Sequence, residues 1–129
     1  MGKSTDVRCV GADLYFLPVE TRVPLKFGAE TVTSATCARV CIRVEGRHGN
    51  LAEGWGETPL SVTWVWPAGL GYEDRHSAMK EFCILLAQAW TGFRGRGHPL
   101  EIGHDFLEGE LPLLLRKFNR SRLDAPMPW

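Results

Sequence analysis

The sequence predicts an α+β domain, a three-stranded antiparallel meander followed by a small helical bundle on one face of the sheet. Three observations predict it. Apolar residues alternate with period two through the first half of the chain, they recur with helical period through the second half, and the strand-like runs are joined by short links rather than long crossovers. At 129 residues the chain is one domain, long enough to bury a core of its own.

The first strand is expected over Val7 to Val19, where Leu14 and Phe16 stand among charged and small neighbours, and it is expected to end near Pro18. Glu20 to Glu30, with Pro24, Lys26 and Gly28, reads as a loop. The polar run Thr31 to Thr36 leads into the clearest strand of the chain, in which Val40, Ile42 and Val44 alternate with Arg39, Cys41, Arg43 and Glu45. Gly46 and Gly49 then reverse the chain, and Leu51, Glu53, Trp55 and Glu57 alternate with Ala52, Gly54 and Gly56 as the returning strand of a hairpin.

An apolar loop, Pro59 to Trp66, follows, and Pro67, Gly69 and Gly71 close it. Asp74 is placed to cap a helix whose stripe is Met79, Phe82, Cys83, Leu86, Trp90 and Phe93. Gly92 to Gly97 reads as a flexible link. His98-Pro99 opens a short helix through Ile102, Phe106 and Leu107, and Pro112 opens another with the stripe Leu111, Leu114, Leu115 and Phe118. The predicted organisation is a flexible N-terminus over 1–6, a capping domain over 7–122, and the start of a linker over 123–129.

The formal charge is zero, with 15 Lys plus Arg against 15 Asp plus Glu, so no bulk field favours nucleic acid or an anionic membrane. No apolar run is long enough for a membrane span, and the expected compartment is cytoplasmic. Cys37 and Cys41 lie on one strand about 13 Å apart, beyond the reach of a bridge. Together with Cys9 and Cys83 they read as buried free thiols.

Catalytic constellations are sparse. Glu101 and His104 form an E-x-x-H pair near Asp105 and Glu108, but the second half of a di-metal site is absent, so a solvated polar face is the better reading. His48 and His76 are expected at exposed places without chemistry. Gly92-Phe93-Arg94-Gly95-Arg96-Gly97 is a single basic and aromatic run in a neutral chain, a link rather than a nucleic-acid contact. No G-x-S-x-G elbow is present, and Glu53 and Glu57 are about 13 Å apart along one strand, too far to act as a carboxylate pair. The aromatic loop remains. Leu60, Val62, Trp64, Val65 and Trp66 point in different directions and cannot easily all be buried at once, so part of the cluster is expected to form a contact surface.

Three segments in this order, Val23 to Gly28 (VPLKFG), Ala38 to Gly46 (ARVCIRVEG) and Gly49 to Pro59 (GNLAEGWGETP), resemble the N-terminal capping domain of the enolase superfamily, in its mandelate racemase and muconate lactonizing enzyme branch. The resemblance runs from about Val7 to Trp129. It implies a lid over a (β/α)-barrel, with two lid segments closing on substrate: Val23, Leu25, Lys26 and Phe27 from the first, and Thr58, Pro59, Leu60, Val62, Trp64 and Trp66 from the second. The implied partners are the barrel domain and a small carboxylate or sugar-acid substrate. The implied cofactor is Mg²⁺, held in the barrel, where a racemase, cycloisomerase or dehydratase reaction would begin by removing a proton α to a carboxylate. No catalytic residue and no metal ligand is assigned to this chain, which is expected to be inactive alone. The alternative from another class is a free-standing binding or oligomerisation module that keeps the fold and uses its exposed aromatic loop either to hold a partner or to form a homo-oligomer.

Overall fold

A computed structural model describes residues 2–27, 30–67 and 69–128, and of Phe27 the backbone only. Val7–Phe27 forms β1, Glu30–Gly46 forms β2 and Leu51–Pro59 forms β3. A two-residue strand, β4 (Arg96–Gly97), pairs with Val7 and Arg8, so the described sheet has four antiparallel strands in the order β3-β2-β1-β4 rather than the three expected. The glycine-rich link therefore closes one sheet edge. Two paired residues are too few for any alternation to announce them.

The second difference lies in β1, which continues past Pro18 to Phe27 and pairs with Thr31 and Val32 through Lys26 and Leu25. The stretch taken for a loop is a two-stranded ribbon extending beyond the rest of the sheet. Its signal was present: Val19, Thr21, Val23 and Leu25 alternate with Glu20, Arg22, Pro24 and Lys26. The ladder breaks between Glu20 and Leu25, where the residues around Pro24 bulge out opposite Thr33 and the Thr21 hydroxyl donates to the Thr33 carbonyl at 3.1 Å. Proline has no N–H for a ladder, so a bulge is its natural place. Gly28 and Ala29, between the two strands in sequence, are outside the described residues.

The β2–β3 hairpin forms as expected. Gly46 N–H donates to the Asn50 carbonyl at 2.8 Å, and Gly49 takes φ +79°, a left-handed conformation that glycine adopts without steric cost. Pairing then runs without a bulge from Glu45 opposite Leu51 to Cys37 opposite Pro59.

After β3 the chain makes a single helical turn, α1 (Val62–Val65), and then α2 (Tyr72–Gly92). The N-cap of α2 is Gly71. Asp74 lies inside the first turn with Glu73, where both carboxylates favour the positive end of the helix dipole. α2 packs chiefly on β1, on the sheet face that carries Phe16, whose ring lies 5.8 Å from Lys80 Nζ.

His98 caps α3 (Pro99–Asp105) as expected. Its Nδ1 accepts from Leu100 N–H at 3.2 Å, while Glu101 Oε2 accepts from His98 N–H at 3.1 Å. α3 does not stop before Pro112. It runs through a π-helical turn, Phe106–Glu110, into α4 (Leu111–Asn119). The wider turn absorbs the proline, which lacks the N–H an α-helix would require there.

The core lies between α2, α4 and the segments flanking them. Trp66, Ala78, Phe82, Phe118 and Met127 are buried together, and Leu70, Met79, Leu86, Leu111 and Leu115 pack around them. A second aromatic group joins the end of α2 to the π turn, with Trp90 stacked on Phe106 at 4.1 Å and Phe93 edge-on to Phe106 at 5.5 Å. The segment read as a linker is held down: Asn119 donates to the Met127 carbonyl and accepts from its N–H, both at 2.9 Å, and Met127 is buried. The thiols of Cys9, Cys37, Cys41 and Cys83 are free, the first three buried. No helix among the described residues is long and apolar enough to cross a membrane.

Candidate functional site

Register places the two segments singled out in the sequence at one end of the sheet. β3 stops at Pro59, opposite Cys37, whereas β1 and β2 continue past that level as the ribbon. The apolar loop therefore starts beside the base of the ribbon. Leu60 N–H continues the ladder for one more bond, donating to the Thr36 carbonyl at 2.8 Å.

Each end of the loop is fixed by a residue from the start of α2. The Thr36 side chain, beside the loop's first residue, is within 2.9 Å of His76 Nε2, and the His76 ring stacks on Tyr72 at 5.7 Å. At the other end Arg75, only 8% exposed, donates from Nη1 to the Trp66 carbonyl. Its Nε has no hydrogen-bond partner among the described residues. A guanidinium taken out of water this far is costly unless it satisfies something, and what it satisfies is the loop's last carbonyl. His76, expected at an exposed place, is instead half-buried and tied to the sheet. Neither Arg75 nor His76 sits in an apolar pattern that would have marked it in the sequence.

The loop residues divide into anchors and rim. Leu60, Val62 and Trp66 turn inward, at 6%, 1% and 3% exposure, while Trp64 is 75% exposed and Val65 is also exposed. Adjacent side chains on one turn of helix point about 100° apart, so inward Val62 and Trp66 force Trp64 outward. Thr58 and Pro59 are exposed at the end of β3. On the ribbon Val23, Leu25 and Lys26 are exposed, whereas the side chain of Phe27 is outside the described residues. The surface at this end is thus Val23, Leu25 and Lys26 from one segment and Thr58, Pro59 and Trp64 from the other. Next to the anchors, a cavity of about 470 Å³ opens between Trp66, Pro67 and Leu70 on one side and Asp124 and Pro126 on the other.

The sheet face opposite α2 carries cross-strand ion pairs: Arg8 with Glu45, Arg39 with Glu57 at 2.5 Å, and Arg43 with Asp13. Between them Tyr15 of β1 and Trp55 of β3 stack with ring centroids 5.9 Å apart, although β2 separates their strands. Strands two apart are about 9.5 Å from one another, so the two rings lean together over β2. Cys41 lies between them on β2, opposite Asp13 and Trp55, and is only 3% exposed. Burial pushes the Cys41 thiol above its ordinary value, with Glu53 adding to the effect. Burial and then Glu57 do the same for Cys37. These are inert thiols rather than nucleophiles.

Glu101 is engaged as a helix cap, and no group of three or more His, Cys, Asp or Glu side chains that could hold a metal ion comes together among the described residues. Comparison with known proteins adds no assignment: no family model, curated protein or solved structure matches the chain.

Proposed function

We infer that this chain is a substrate-capping N-terminal domain of the enolase-superfamily type, in the mandelate racemase and muconate lactonizing enzyme branch. One observation carries the reading: the two segments that the resemblance names as capping segments lie at the same end of the sheet, each presenting exposed apolar side chains there. The three-stranded part of the sheet, β1 to β3, followed by helices, is the order of elements that such a domain would have. In this reading the rim of Val23, Leu25 and Trp64 closes over a compartment supplied by a barrel domain, excluding water from the reacting carboxylate and shaping the pocket. Lys26 adds a cation at that rim. Mg²⁺ and the bases that move the α-proton belong to the barrel, and the chemistry is not routed through any residue of this chain.

The test has two arms. The reading frame beyond codon 129 is expected to encode barrel strands carrying a lysine and spaced carboxylates. The encoded whole protein, with Mg²⁺ in D₂O, is expected to exchange the α-proton of a carboxylate substrate by NMR, whereas the 129-residue chain is not. Exchange by the short chain alone, or a frame without a barrel, overturns the reading.

A further inference from the structure

Among the described residues no strand pairs with the outer edge of β3. All nine residues of Leu51–Pro59 are exposed, and pairing with β2 is free of bulges over its whole length. Bonds at the two ends of the hairpin set the direction of every peptide between them. Gly46 N–H donates to Asn50 and Leu60 N–H to Thr36, and antiparallel ladders alternate. Ala52, Gly54, Gly56 and Thr58 therefore turn their N–H and C=O toward β2. Leu51, Glu53, Trp55 and Glu57 turn theirs outward.

Natural sheets blunt such an edge with proline, a bulge, lysine or a covering element. None of these interrupts Leu51 to Thr58. The two acids stand on the sheet face rather than across the edge, and Glu57 is drawn back toward β2 by Arg39. On the opposite face Gly54 has open space, since a Cβ built there would meet nothing within 4 Å.

We propose that β3 is an interface between two copies of this chain, pairing antiparallel with its own symmetry mate so that two four-stranded sheets join into one. Charge, together with the length of strand paired, chooses the register, since two-folds at Ala52 or Gly56 pair fewer of the residues from Leu51 to Glu57. A two-fold at Trp55 would set Glu53 against Glu57 of the second copy, a like-charge pair directly opposite. A two-fold at Gly54 sets Glu53 against Trp55 and Leu51 against Glu57, with no acids opposed. Every outward N–H from Leu51 to Glu57 then meets an outward C=O. At the axis the two backbones face each other through Gly54, where no side chain intervenes. A two-fold contact of this kind closes on itself and yields a dimer rather than a fibre. The inference rests on this edge and is independent of the capping reading.

The test uses the 129-residue chain in sedimentation velocity across a wide concentration range, with amide hydrogen exchange read by NMR at both ends of that range. The expected result is a reversible doubling of mass, with Glu53 and Trp55 amides at least tenfold more protected at the high concentration. Gly54→Glu is accommodated in one copy and places two carboxylates on the axis, so it should leave the circular dichroism unchanged and abolish the doubling. Glu53→Pro, which removes an outward N–H while sparing the ladder to β2, should do the same. A monomer throughout, a dimer whose Glu53 and Trp55 amides stay unprotected, or a folded Gly54→Glu variant that associates like the wild type overturns the proposal.

Discussion

Replacing Trp66 by alanine tests the division of the aromatic loop into anchor and rim, because Trp64, two residues away, supplies the internal control. Trp66 is 3% exposed and packs in the cluster of Ala78, Phe82, Phe118 and Met127, whereas Trp64 is 75% exposed. Truncating a buried tryptophan costs about 3–5 kcal/mol, the transfer of its atoms plus the cavity they leave. A domain holds only about 5–15 kcal/mol in total, so Trp66→Ala should remove a large share of it. Unfolding entropy of about 2.1 cal/mol/K per residue converts that loss to a fall in Tm of roughly 11–18 °C for a chain of this size. Trp64→Ala should cost less than about 1 kcal/mol, since substitution of an exposed side chain removes little packing. Urea unfolding followed by far-UV circular dichroism, which does not depend on the deleted indole, measures both. Equal losses from the two variants, or a Trp66→Ala loss below about 1 kcal/mol, would refute the assignment of anchor and rim.

Three further outcomes follow from particular contacts. Asn119→Ala should lower stability by about 1–3 kcal/mol, because it strips both hydrogen bonds from the backbone of buried Met127, and limited proteolysis should then cut within residues 120–128 before the core. Gly49→Val should cost about 1–2 kcal/mol through its positive φ alone, since space around it is open, and Gly49→Asn should recover most of the loss in the same urea titration. Burial raises the Cys37 and Cys41 thiols above their unfolded values, so the folded state binds more protons than the unfolded one in alkaline solution. Stability is then full below the unfolded thiol value of about 8.5 and is lost as pH rises from there through the folded value. The urea midpoint should fall as pH rises above about 8, and a Cys37→Ala/Cys41→Ala double variant should flatten that slope.

How far the sequence revealed this arrangement depended on whether a feature was periodic or a matter of pairing. Val40, Ile42 and Val44 announced β2, the Met79 to Trp90 stripe announced α2, and His98-Pro99 announced a capped helix, because each is a local pattern with a local cause, whereas Glu101, read as part of a polar face, is the second half of that cap. The ribbon was misread because Pro24 and the polar Thr31 to Thr36 run outweighed the alternation of Val19, Thr21, Val23 and Leu25, although a bulge accommodates that proline without ending the strand. β4 and the π turn left no trace, since one exists only through its pairing with Val7 and Arg8 and the other through the need to carry the helix past Pro112. At the candidate site the exposed members of the loop and ribbon were legible as residue types. The residues that hold them, Arg75, His76 and Thr36, were not, because a buried arginine and a tethered histidine look like surface residues until the fold brings a carbonyl or a hydroxyl to them.

The division of labour at the open end of the sheet has a physical consequence for how its surface could change. Among the described residues no third strand pairs with the ribbon beyond the end of β3, and a two-stranded hairpin in isolation is marginal in water. Loss of pairing there therefore removes little of the buried area that holds the domain together, which lies between α2, α4 and Trp66. The loop is the opposite case. Leu60, Val62 and Trp66 fasten it to that core, Arg75 and Thr36 fix its two ends, and Trp64 is presented from a rigid base. Substitutions at Val23, Leu25, Lys26 or Trp64 should accordingly redefine the contact surface at a cost of about 1 kcal/mol or less in stability, whereas the same changes at Leu60, Val62 or Trp66 should cost several. A surface built on that separation can be varied while the scaffold stays fixed.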